Sequence, residues 1–76
     1  METIYLKKNY DFQNKIMSVI KHKGENALIA YEGSVKIDEW SDPEYFKSIG
    51  YKKTDAKTFD EFYTTQAKKF DEILNP

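Results

Sequence analysis

The 76-residue sequence contains no cysteine and no arginine, and each absence closes off an explanation. Without cysteine there is no disulfide framework, and one histidine, His22, is too few for a zinc site of the usual Cys/His kind. No metal and no cofactor are therefore expected, and packing must hold the fold. Arginine forks onto phosphate, carboxylate and guanine, whereas lysine acts as a hydrated point charge. All twelve basic residues here are lysine. An arginine-free chain also fits an AT-rich coding genome, which makes a bacterial or phage origin the expectation.

Glycine and proline are scarce as well. Gly24, Gly33 and Gly50 stand too far apart for Gly-x-Gly-x-x-Gly or for the phosphate loop Gly-x-x-x-x-Gly-Lys, so they read as turn residues. No apolar run approaches the ~20 residues of a membrane span. Met1 to Leu6 is too short and too polar for the core of a signal peptide, and no Asn-x-Ser/Thr sequon occurs. Cytoplasmic residence without membrane contact is the expectation. No Pro/Gly/Ser-rich linker, internal repeat or low-complexity tract divides the chain, so residues 1–76 read as one domain.

Aromatic rings are what the chain has in abundance: six Tyr, five Phe and one Trp. A chain of this length buries only about 60% of its unfolded surface, and rings that bury about 150–250 Å² each compensate for that. Net charge is −1, yet residues 1–37 carry six lysines against four acids (+2) and residues 38–76 carry six against nine (−3).

From Ala56 to Leu74, the residues Phe59, Phe62, Tyr63, Gln66, Ala67, Phe70, Ile73 and Leu74 recur at steps of three and four. This spacing predicts a long amphipathic helix, opened by Thr58-x-x-Glu61 as a capping box. Its stripe reads as core, and helix-to-helix self-packing is the other use, so monomer and homodimer both remain open. Upstream, Thr3 to Lys7 alternates as a short strand, and Lys8 to Asn14 has the composition of a turn or loop.

Residues 15–22 have two readings. Phe12, Ile16, Val19 and Ile20 share a helical face, but the β-branched residues leading into Lys23-Gly24 favour a strand that returns over Asn26 to Tyr31. Glu32-Gly33 is a turn candidate, and Ser34 to Asp38 alternates again. Ser41-Asp42-Pro43-Glu44 opens a short helix near 42–49, with Tyr45, Phe46 and Ile49 on its apolar side and Gly50 as its stop. Tyr51 to Thr54 is a last strand or an extended link. The fold class is α+β: a small antiparallel meander of three to five short strands, with a barrel-like curl as a variant. The C-terminal helix covers one face, and the short helix closes one end.

Chemistry is thin. His22, set between Lys21 and Lys23, is expected at the surface, and without cysteine no activated nucleophile emerges. Asp38, Glu39, Asp42 and Glu44 are close in sequence, but a domain this small has little room for a sugar-sized cleft. No catalytic residue is assigned and no enzyme is expected. Two binding readings remain.

The first is a small non-enzymatic interaction module, an accessory factor or inhibitor that binds a larger protein through Asp38, Glu39, Trp40, Asp42, Glu44 and Tyr45. There the rings anchor and the acids steer a basic partner. Against it, a small chain favours Trp40 and Phe46 as core, with Tyr45 left exposed. The alternative is a single-stranded nucleic-acid binder using Tyr5, Lys7, Lys8, Tyr10, Lys21 and Lys23 as stacking platforms and phosphate contacts. Negative net charge and the lack of an RNP or helix-turn-helix signature oppose it.

Overall fold

Two adjacent apolar residues in a strand point to opposite sides of a sheet, so both stay dry only where both sides are covered. Val19 and Ile20 are such a pair, and both are fully buried at the centre of the sheet in this computed structural model, which describes residues 2–11, 16–31 and 33–74. The strands are β1 (Thr3–Asp11), β2 (Ile16–Lys23), β3 (Asn26–Tyr31), β4 (Ser34–Asp38) and β5 (Lys52–Lys53). They pair antiparallel in the order β4-β3-β2-β1-β5. The fold is α+β as expected, but the sheet is open rather than barrel-like, with β4 and β5 as separate edges.

Residues 16–22 are strand, which settles the choice against a helix. Its return turn is Gly24-Glu25, one residue later than expected, with Lys23 facing Asn26 across it. β1 also runs further than its composition suggested. Lys8 faces Ser18 and Asn9 faces Met17, so Lys8 to Asp11, expected in a loop, extends the ladder instead. Polar composition misled there because Tyr10 sits edge-on against Tyr31, with ring centres 5.4 Å apart, and gives that end of β1 an apolar contact. The rest of that expected loop, residues 12–14, lies outside the described residues.

Each face has its own core. Leu6, Ile20, Ala27 and Ile29 cluster with Phe46 and Tyr51 on one face. Val19 and Ala30 cluster with Phe59 on the other, flanked by Tyr5, Leu28, Val35, Phe62 and Tyr63. The short helix α1 (Pro43–Ser48) therefore does not close an end of the sheet. It brings Phe46 to the Leu6–Ile20 face, where the ring meets Tyr51 edge-on at 5.6 Å. Asp42 is the cap, accepting from the Glu44 backbone N–H at 3.0 Å, with Pro43 opening the helix. Ile49, expected on the apolar side, is exposed because the helix ends before it.

The long helix α2 (Ala56–Leu74) crosses the Val19 face. It opens at Asp55, whose carboxylate accepts from the Thr58 backbone N–H at 2.7 Å. Hydrogen bonds from the Thr58 hydroxyl and then its backbone N–H hold this carboxyl below its ordinary 3.8. Thr58 is thus a donor inside the first turn and not the cap that the Thr58-x-x-Glu61 spacing predicted. Phe59 lies against Tyr5 of β1 and stacks on Tyr63. Further along, the buried Gln66 Oε1 accepts from the Gly33 N–H at the β3–β4 corner. Gly33 has φ +75°, the left-handed region that favours glycine, while a Cβ there would make only an ordinary contact with Lys69 Cβ at 3.6 Å. The stripe is buried only in part: Phe59 and Gln66 fully, Phe62, Tyr63, Ala67 and Phe70 partly, while Ile73 and Leu74 are exposed.

Gln66→Leu keeps the volume of the side chain and leaves the buried Gly33 N–H without its acceptor. A loss of about 1–3 kcal/mol in urea-unfolding stability is expected, with a corresponding fall of several degrees in Tm.

Candidate interaction surface

The chain leaves β4 through a tight turn that is tied down on its far side. The Ser41 N–H donates to the Glu25 carbonyl at 2.8 Å, and His22 Nε2 lies 3.0 Å from the Ser41 carbonyl. A carbonyl only accepts, so Nε2 carries the hydrogen. His22 is buried, which corrects the expected surface position. Even residues of β2 share the Ile20 face, and this one reaches the turn from beneath. With Ser41 fixed, Trp40 takes up the change of direction at φ 60°. For a bulky residue this left-handed region is an outlier. Its ring turns outward and is 80% exposed.

Beside it the cover that α2 gives this face runs out, with Leu28 at its margin. Lys21, Leu28 and Ile37 face one another across β2, β3 and β4, and Ile37 is 68% exposed. With Lys23 and Trp40 they line an open groove of about 930 Å³. Glu25 and Glu39 also line it, so the charged rim is balanced, two lysines against two glutamates.

The six residues expected to bind a protein do not form one patch. Glu39 and Trp40 line the groove. Asp38 alternates with Ile37 and belongs with Ala27 on the opposite face. Asp42 is engaged as the α1 cap, and Glu44 pairs with Lys47 at 3.2 Å. Tyr45 is 60% exposed with its ring edge-on to Phe46. Trp40 is not core, whereas Phe46 is. Lys21, Leu28 and Ile37 were not anticipated as one row. The available signal was Ile37 itself, an isoleucine between Lys36 and Asp38 that no expected contact covered.

The six residues of the nucleic-acid reading also divide. Tyr5, Lys7, Lys21 and Lys23 share the α2 face, whereas Lys8 and Tyr10 lie on the other. Lys8 Nζ donates to the Ile49 carbonyl at 2.5 Å and sits 4.7 Å from the Tyr10 ring centre. Tyr5 packs on Phe59. These residues make no continuous positive face with free rings.

Opposite the groove, the Tyr51 hydroxyl donates to Ser18 Oγ at 2.8 Å and lies 3.1 Å from the Tyr10 hydroxyl. Burial pushes Tyr51 up to about 12. Among the described residues no group of three or more His, Cys, Asp or Glu is placed to hold a metal ion. No described helix is long and apolar enough to cross a membrane. Comparison of the chain with family models, with curated proteins and with solved structures finds no match.

A phenol whose folded pKa is raised stabilises fully below its ordinary 10.0, and that contribution is lost as pH rises toward about 12. Absorbance titration at 295 nm is expected to show one tyrosine ionising near pH 12. Tyr51→Phe should remove that step and flatten the alkaline fall in Tm over the same window.

Proposed function

We propose that the chain is a non-enzymatic protein-interaction module, an accessory factor or inhibitor of bacterial or phage type that works in a cytoplasm by binding a larger protein. Its working surface is the open end of the sheet around Trp40. The observation that carries this reading is the conformation of that residue. A left-handed backbone costs a side-chain-bearing residue about 1–2 kcal/mol, and an indole left 80% exposed recovers little of it by burial. The fold would be served as well by glycine or asparagine, so a tryptophan here points to a use outside the fold. Its neighbours suit that use. Leu28 and Ile37 give an apolar centre, and Lys21, Lys23, Glu25 and Glu39 give a polar rim, the anatomy of a protein interface. The two glutamates beside the two lysines disfavour a phosphate backbone in the same groove.

The test compares wild type with Trp40→Gly. Relief of the left-handed strain, offset by the greater freedom of an unfolded glycine, should leave Tm unchanged or raise it by a few degrees. Immobilised wild type is expected to retain a protein from a lysate of the source organism that the variant releases. Retention of the same protein by Trp40→Gly, or a Tm collapse in that variant, overturns the reading. Quenching of the tryptophan emission by a single-stranded oligonucleotide at about 50 mM salt moves the assignment to nucleic acid.

A further inference from the structure

The two edges of the sheet are unlike. β5 is two residues long and both are lysine, which protects an edge. β4 is five residues long and shows Ile37 to solvent near its centre. Tyr31 and Ser34 close the β3–β4 hairpin across two residues, so they exchange backbone hydrogen bonds, and Lys36 and Asp38 likewise turn theirs toward β3. The N–H and C=O groups of Val35 and Ile37 consequently point outward.

The second asymmetry is in α2. Its nineteen residues span about 28 Å, whereas five strands measure about 19 Å from edge to edge. Lys69 already lies on Gly33 at the β3–β4 corner. The remaining residues reach about 7 Å further and carry Ile73 and Leu74, 71% and 62% exposed, toward and past the β4 edge.

We propose that the occupant of this surface is a second copy of the chain, paired antiparallel along β4 about a two-fold axis at Ile37. The proposal rests on reading the Trp40 end as an interaction surface, and it names the first partner of that surface. In this register the outward backbone groups of Ile37 meet those of the other Ile37. Lys36 of each copy faces Asp38 of the other, in the closely spaced non-hydrogen-bonded positions, so the only two charged residues of β4 are paired twice with opposite sign. β4 ends at Asp38 and the chain turns at Trp40, so the Ser34 end of each β4 comes to the side of the other copy's Trp40 turn. The overhanging end of each α2, at the Gly33 corner, then lies beside the indole of the other copy, and the exposed apolar groups Ile37, Trp40, Ile73 and Leu74 cover one another.

A two-fold at Lys36 would instead set that lysine against itself, which is unfavourable. The result is a single ten-stranded sheet. The larger protein and the second copy then compete for the same Trp40 end, so the monomer is the form that meets the larger protein.

Sedimentation equilibrium and emission of the single tryptophan, followed from about 1 µM to 1 mM at low salt, test the pairing. Mass should rise to twice the 9.0 kDa of the chain, with a blue shift over the same concentrations. Ile37→Lys, an exposed position, should remain at 9.0 kDa with unshifted emission and an unchanged circular dichroism spectrum. Lys36→Asp and Asp38→Lys should each weaken dimerisation on the order of tenfold, and the double exchange should restore it. A 9.0 kDa species throughout, or a dimer indifferent to both charge reversals, overturns the proposal. That failure is distinct from failure of the interaction reading, which would instead show as Trp40→Gly retaining its captured protein.

Discussion

Val19 and Ile20 sit next to each other in β2 and need opposite sides of the sheet kept dry, and the rest of the chain is arranged around that demand. Burying one such side chain contributes about 1.5–3 kcal/mol, but only if a covering layer exists. One long helix supplies the layer over Val19. The layer over Ile20 is assembled from smaller pieces, the Phe46 ring on α1 and the Tyr51 ring just after it. This explains the topology. The chain leaves β4 at one edge, crosses the Ile20 face to reach β5 at the other edge, and returns across the Val19 face as α2.

The groove at Trp40 follows from that economy of covering elements. α2 passes from Phe59 over Tyr5 toward Gly33, and it shelters Val19, Ala30 and Val35. In the next row toward the Gly24 turn, Lys21–Leu28–Ile37, only Leu28 reaches the margin of that cover, and Ile37 lies beyond it. What would be a core row under a wider cover becomes surface. The buried His22 then sets the border of that surface, since its contact with Ser41 fixes where the backbone stops turning and the indole begins.

Much of this architecture was legible in the residues. The three-four spacing of Phe59, Phe62, Tyr63, Gln66 and Phe70 announces α2, and the glycines at 24 and 33 mark the corners of the meander. The second covered face was not legible. Phe46 and Tyr51 belong to different elements, so no single period joins them. Asp55 and Thr58 are both good cap residues three positions apart, and sequence alone does not say which one accepts. The exposure of Trp40 depends on ties from Ser41 to Glu25 and His22, and His22 is far away along the chain. One error followed from the strand boundary. Lys7 and Lys8 are neighbours in β1, where a period of two sends them to opposite faces, and ending the strand at Lys7 hid this.

The belt-like course of the chain also sets a timetable. β1 to β4 follow one another closely in sequence, so the meander can form from local contacts as soon as residue 38 is available. Both covers lie downstream: α1 and Tyr51 follow within thirteen residues, but α2 ends only at Leu74. During synthesis at about 5–20 residues per second, a two-sided apolar sheet waits roughly 2–7 s for its second cover. A net charge of +2 over the first 37 residues disfavours association between such sheets. The charge asymmetry between the halves of the chain thus bears on the emerging chain as well as on the finished surface.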